Sequence, residues 1–233
     1  MIMYERIIGQ TLSKMTKILL ASAGPLQYFL DTPGVTHVHC LKQAYIVLKQ
    51  DGKEDAATLF NTYHSALTKG LYWADRGWKN VNHFYSHPDK QGIIGWPGAT
   101  AECQYYFNKA FSLFPKNLDK GMFFLGAALH LIQDMCVPHH SLGILFDGHK
   151  EFETWATENW DKFPVIKGTY LPFQHPAQWI DHNAHVSGPL YSLVSIKEGC
   201  SEESYIKASE TLIPLTIATS AGFLDFVSQR IYT

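Results

Sequence analysis

Residues 123–140 read FFLGAALHLIQDMCVPHH, and this stretch decides the fold. From Asn117 to Val137 apolar residues recur at three- and four-residue steps, with Leu118, Met122, Leu125, Leu129 and Ile132 on one side. That period predicts a helix buried along its apolar face. Pro138 has no backbone N–H and is expected to end the helix. His130 and Asp134 stand four residues apart, so both side chains leave the same face. An imidazole and a carboxylate at that spacing can close on one metal ion. The turn at Pro138 brings His139 or His140 back toward the same place, and the distance from the proline favours His140.

Further along, His149 and Glu153 repeat the four-residue spacing. Asp147-Gly148 reads as the cap of their helix, which runs to about Phe163 with Phe152, Trp155 and Ala156 facing inward. One His/acid pair at this spacing is more often a hydrogen bond than half of a metal site. Two such pairs flanking Pro-His-His in an apolar context shift that balance, because burying so many ionisable groups without a counter-ion is costly. Imidazole and carboxylate without thiolate form the ligand set of catalytic zinc.

Outward from this block the pattern stays helical. Val38 to Leu71 reads as two helices broken at Asp51-Gly52, and Thr100 to Phe114 as another. Gly77 to Pro97, rich in Gly, Asn, His and Pro, reads as a long ordered loop. After a loop at Pro164 to Pro176 come helical stretches near Ala177 to Ser192 and Glu202 to Ile231. Few windows alternate as strands do. The expectation is an all-α, single-domain bundle of about eight to ten helices.

Composition sets outer bounds. Hydrophobic residues make up 46% and charged residues 17%, which suits a globular core. A formal net charge of -2 excludes the broad basic face that duplex nucleic acid requires. Cys40, Cys103, Cys136 and Cys200 form no C-x-x-C pair and read as isolated thiols, although spacing leaves a disulfide between distant cysteines open. No apolar run reaches the ~20 residues of a membrane span. Residues 1–30 read as an N-terminal helical segment or, given Ala21-Ser22-Ala23 after Ile18-Leu19-Leu20, as a cleaved leader. Residues 31–233 are assigned to the domain that carries these ligand candidates.

The order His130, Asp134, Pro138-His139-His140, His149, Glu153, with GHKEFETWA around the last pair, resembles the zinc-dependent phospholipase C family. Upstream, Gly70-Leu71-Tyr72-Trp73-Ala74-Asp75, Asn82-His83-Phe84-Tyr85 and Thr36-His37 match the same family. The resemblance implies a helical bundle holding two or three zinc ions. It assigns one ion to Asp75, His83, His130 and a bridging Asp134. It assigns a second to His140, His149 and Glu153, and a third to His37, Asp134 and the mature N-terminal residue. Asp75 is implied as the general base or water-orienting group. His39, His64, His87, His139, His175, His182 and His185 are read as surface or hydrogen-bonded histidines.

The implied activity is phospholipase C-type cleavage of a glycerophospholipid by zinc-bound hydroxide. Three zinc ions bring about +6 and three carboxylates about −3, an excess that suits a phosphodiester and its transition state. The alternatives are a single-strand nuclease or 3'-nucleotidase of the related zinc nuclease type, with Trp73, Trp78, Tyr85 or Trp96 stacking a base, and a metal-binding helical domain without turnover. The chain departs from the family at two places. The family's third zinc uses an N-terminal Trp; cleavage after Ala23 would expose Gly24 instead. Choline-selective members have aromatic rings where this chain has Arg76 and Asn80, and a guanidinium disfavours a cationic headgroup. Arg76, Asn80 and Tyr85 are the substrate-contact candidates. A monomer with at most peripheral membrane contact is expected. Export follows from the resemblance, and the short apolar stretch at the N-terminus leaves a cytoplasmic location open.

Overall fold

The computed structural model describes residues 34–76, 79–85 and 98–231. The N-terminal segment with Gly24, and Trp78, His87 and Trp96, lie outside the described residues. Nine α-helices follow one another among those described: α1 (Val35–Gln50), α2 (Glu54–Thr62), α3 (His64–Ala74), α4 (Ala99–Leu113), α5 (Leu118–Asp134), α6 (Pro138–Leu142), α7 (His149–Asn159), α8 (Pro176–Ser187) and α9 (Glu202–Ser228). Short 3-10 turns occupy Lys79–Asn82, Trp160–Lys162 and Gly188–Leu193. No strand occurs among the described residues, so the all-α expectation holds.

The helix read from the opening stretch is α5. Asn117 caps it by accepting from the Lys120 N–H at 2.9 Å. From Gly121 onward every residue of α5 is buried except Phe123 and Phe124. A helix buried on nearly all sides lies in the middle of a bundle. Helices α3 and α4 flank α5, α8 and α9 cover it, and α1 packs on α9.

Two glycines let α3 and α5 approach closely. A methyl group at Gly70 would overlap the Phe123 carbonyl oxygen, and one at Gly126 would overlap the Leu67 carbonyl oxygen. Both obstacles are backbone atoms, which cannot rotate away. The C-terminal end of α5 is held by polar side chains of α8. Asn183 Nδ2 donates to the Ile132 carbonyl at 2.8 Å, and Ser187 Oγ to the Met135 carbonyl at 2.6 Å. Carbonyls left without helical partners at a helix end are satisfied in this way.

Several local expectations change. Val38 to Leu71 holds three helices, because the chain breaks again at Tyr63 between α2 and α3. Helix α5 stops at Asp134, before the proline, and Pro138 opens α6 instead of closing α5. A proline at the first helical position loses no hydrogen bond. Asp147 does not cap α7; Gly148 stands at that position with φ 90. The Asp147 carboxylate instead accepts from Tyr191 Oη, from Ser195 Oγ at 2.7 Å and from the Lys197 N–H at 2.9 Å. By length and composition α9 could cross a membrane, but 72% of its apolar window is buried inside the bundle. It is a core helix here. All four cysteines are free; Cys40, Cys103 and Cys136 are buried and Cys200 is half-buried.

Candidate metal centre

Six elements deliver the site. Helix α1 brings His37 in its first turn, and α3 ends at Asp75. The extended stretch after the Lys79–Asn82 turn brings His83. Helix α5 brings His130 and Asp134, and the α6–α7 pair brings His140, His149 and Glu153. The stretch at His83 is tied into place by its own backbone. The Tyr85 N–H donates to the His140 carbonyl at 2.9 Å, and the Ala99 N–H to the Phe84 carbonyl at 3.0 Å.

In the first cluster four donor atoms converge. His83 Nδ1 lies 2.8 Å from Asp134 Oδ2 and 3.5 Å from Asp75 Oδ1. His130 Nε2 lies 3.1 Å from Asp75 Oδ1, 3.2 Å from Asp134 Oδ2 and 3.3 Å from His83 Nδ1. The other oxygen of Asp134, Oδ1, lies 3.3 Å from His37 Nε2. Asp134 thus presents one oxygen to His83 and His130 and the other to His37. In the second cluster His149 Nε2 lies 3.1 Å from His140 Nε2 and 3.0 Å from Glu153 Oε1, with His140 Nε2 3.5 Å from the same oxygen.

These separations bear on what the clusters can hold. Zinc–nitrogen bonds of about 2.0–2.1 Å at tetrahedral angles put ligand atoms about 3.3 Å apart. The separations given above for both clusters, 2.8 to 3.5 Å, bracket that value. Two imidazole nitrogens facing each other at 3.1 Å can share one proton or one cation. Burial makes a cation the better fit, because Asp134 Oδ2, the carboxylate oxygen that faces both His83 and His130, is buried without a hydrogen-bond partner among the described residues. Three sets of ligand atoms, each within 4.8 Å of one another, group as His37/His130/Asp134, Asp75/His83/His130 and His140/His149/Glu153.

The electrostatics follow from this crowding. Burial alone would lower the pKa of His130, but the carboxylates of Asp134 and Asp75 outweigh it and raise it well above the usual value. Burial likewise opposes ionisation of Asp134, yet His130 and His140 hold its carboxyl well below the usual range. Glu153 is depressed against burial by His149 and His140. The carboxylates are therefore charged and ready for a cation.

All eight sequence-derived ligand candidates are thus brought together. Of the substrate-contact candidates, Arg76 is exposed immediately after Asp75, and Asn80 is half-buried in the 3-10 turn. Tyr85 is buried, and its hydroxyl donates to Asp181 Oδ1 at 2.7 Å. Among the other histidines, His139 Nε2 lies 3.0 Å from the Asp147 carbonyl, and burial lowers its pKa to about 4. His39 stacks on Trp160, His64 contacts the Tyr45 hydroxyl at 3.4 Å, and His182 packs against Phe173. Sequence reasoning missed Gln133, whose Oε1 lies 2.8 Å from His37 Nδ1; its place between Ile132 and Asp134 on a buried helix was the available signal.

A family model described as zinc dependent phospholipase C matches residues 36–192. Among solved structures, the alpha toxin from Clostridium absonum superposes with a TM-score of 0.73 at 19% identity, covering 87% of this chain and 65% of that one. The alpha-toxin of Clostridium perfringens isolated from an avian strain gives a TM-score of 0.67 at 18% identity, with 84% and 63% covered. The chain therefore spans a little under two thirds of the length of these toxins. No curated protein matches the sequence.

Proposed function

Because the chain belongs to the zinc-dependent phospholipase C family, we propose that it is a zinc-dependent phosphodiester hydrolase whose substrate is a glycerophospholipid, released as diacylglycerol and a phosphorylated headgroup. The observation that carries this reading is the pair of donor clusters with tetrahedral edge lengths, linked through the two oxygens of Asp134. One imidazole nitrogen has one lone pair and serves one ion, so His130 is assigned with Asp75 and His83. His140, His149 and Glu153 hold a second ion. His37 and Asp134 contribute to a third.

Zinc in these positions supplies Lewis acidity and brings the pKa of water toward 7. Asp75 is the proposed water-orienting residue. Its side chain is 21% exposed, against 4% for Asp134, so it alone of the two can meet an entering water. Asp134 and Glu153 offset part of the cationic charge and leave an excess for the phosphodiester. Arg76 follows Asp75 and is exposed, and a guanidinium at that position favours anionic or neutral headgroups over choline. Membrane contact is peripheral in this reading. Phe146 and Leu145, 74% and 42% exposed, sit in the turn between His140 and His149 and present an apolar rim to a lipid surface. The active form is proposed to be a monomer.

The test is an assay of the zinc-loaded chain on phosphatidylglycerol and phosphatidylcholine in mixed micelles, and on single-stranded DNA, each with 1,10-phenanthroline and then added zinc. Diacylglycerol release that chelation abolishes and zinc restores is the expected result, faster on phosphatidylglycerol. Cleavage of DNA without lipid turnover would assign the nuclease reading. Bound zinc without turnover of either would leave a metal-binding domain.

A further inference from the structure

The rings of the site differ in what holds their second nitrogen. His83 Nε2, His130 Nδ1 and His140 Nδ1 are buried without a hydrogen-bond partner among the described residues. The second nitrogen of His37 is engaged: Nδ1 lies 2.8 Å from Gln133 Oε1. Gln133 is itself buried, and its Nε2 donates to Ser220 Oγ at 3.0 Å. Ser220 Oγ in turn donates to the Thr216 carbonyl within α9 at 2.6 Å.

These three contacts leave a single consistent arrangement of protons. A carbonyl only accepts, so the Ser220 hydroxyl proton points at Thr216. Ser220 Oγ must then accept from Gln133, which places the amide NH2 toward α9 and the amide oxygen toward His37. An oxygen facing Nδ1 requires Nδ1 to carry the proton. In the neutral ring that a metal requires, the lone pair is then on Nε2, the atom that faces Asp134 Oδ1 at 3.3 Å.

We propose that Gln133, locked by Ser220 of α9, is a positioning residue that sets the tautomer and orientation of His37 so that Nε2 is a metal ligand. The inference rests on the zinc reading above. It assigns to α9, which supplies no ligand candidate, a part in building the centre. A hydrogen bond to the far nitrogen of a ligating histidine fixes the ring and raises its basicity, and losing such a partner typically lowers metal affinity about 10–100-fold.

The experiment compares Gln133→Met, Gln133→Glu and Ser220→Ala with the unaltered chain, each loaded with zinc and titrated with a competing chelator, with zinc per chain measured by mass spectrometry. Gln133→Met keeps the volume and removes the acceptor; it is expected to lose one ion per chain at about 10–100-fold lower chelator concentration. Gln133→Glu keeps the acceptor and is expected to retain that ion near the level of the unaltered chain. Ser220→Ala frees the amide to turn over and is expected to fall between them. Nitrogen NMR of His37 in the zinc-loaded protein is expected to find the proton on Nδ1. Equal zinc loss in the Met and Glu variants would mean packing and not the acceptor matters, and would overturn the proposal. So would a proton on Nε2, or a Met variant that binds like the unaltered chain. An unaltered chain that binds no zinc would instead sink the proposed function, and this inference with it.

Discussion

His139 and His140 are neighbours in sequence, both buried, and chemically identical, yet they face different partners. His140 Nε2 meets His149 and Glu153, while His139 Nε2 meets the Asp147 carbonyl and its ring stacks on His149 at 4.9 Å. Adjacent residues of a helix point about 100° apart, so only one can face a given ion. Exchanging each in turn separates the roles. His140→Ala is expected to remove about one zinc per chain and to cut lipid hydrolysis by a hundredfold or more. His139→Gln keeps a donor for Asp147 and is expected to retain full zinc content at a cost of about 1 kcal/mol in denaturant stability. Zinc loss of the same size in both variants would refute the assignment. The sequence favoured His140 over His139 by its distance from Pro138, a loose constraint, because the direction of the turn is a tertiary outcome.

At the scale of elements, the site depends on how closely two helices cross. Asp75 sits at the end of α3 and His130 on α5, and their 3.1 Å approach follows from the backbone contacts at Gly70 and Gly126. A methyl group at either position meets a carbonyl of the partner helix, so the helices must part. Overpacking of this kind costs about 1–3 kcal/mol, occasionally more. Gly126→Ala is therefore expected to lose at least about 2 kcal/mol of stability in urea and to weaken zinc retention, although residue 126 touches no ligand. Unchanged zinc affinity in a folded Gly126→Ala protein would show that the crossing distance does not govern the site. The helical periods of α3 and α5 were legible, since each repeats apolar residues every third or fourth position. The glycines carried no visible meaning in one dimension, because an unsubstituted Cα matters only where another backbone passes over it. The break at Tyr63 was equally hidden: no glycine or proline marks it.

For the whole molecule, the centre is a set of buried charges that the bundle must tolerate. Asp134 and Glu153 are held ionised against burial only by surrounding histidines, and a cation satisfies both at once. Zinc at about a thousandfold over its dissociation constant would add ~4 kcal/mol of stability. For a domain near this size that corresponds to a rise of about 10 °C in Tm. Calorimetry with and without chelator is expected to show that shift, and a Tm indifferent to chelation would count against a structural contribution from the metal. The sequence by itself determined that the chain is helical, which face of each helix is apolar, and that His130 with Asp134 and His149 with Glu153 share a helix face, while His37, Asp75 and His83 joined them only through the family resemblance. Those properties are local, set by periods of three to four residues and by side-chain chemistry. Only the tertiary structure decided that Asp75 and His83 meet His130, that Tyr85 bonds Asp181, and that Gln133 and Ser220 stand behind His37. These groups lie dozens of residues apart, and what joins them is the crossing of buried helices, a property that no local repeat encodes.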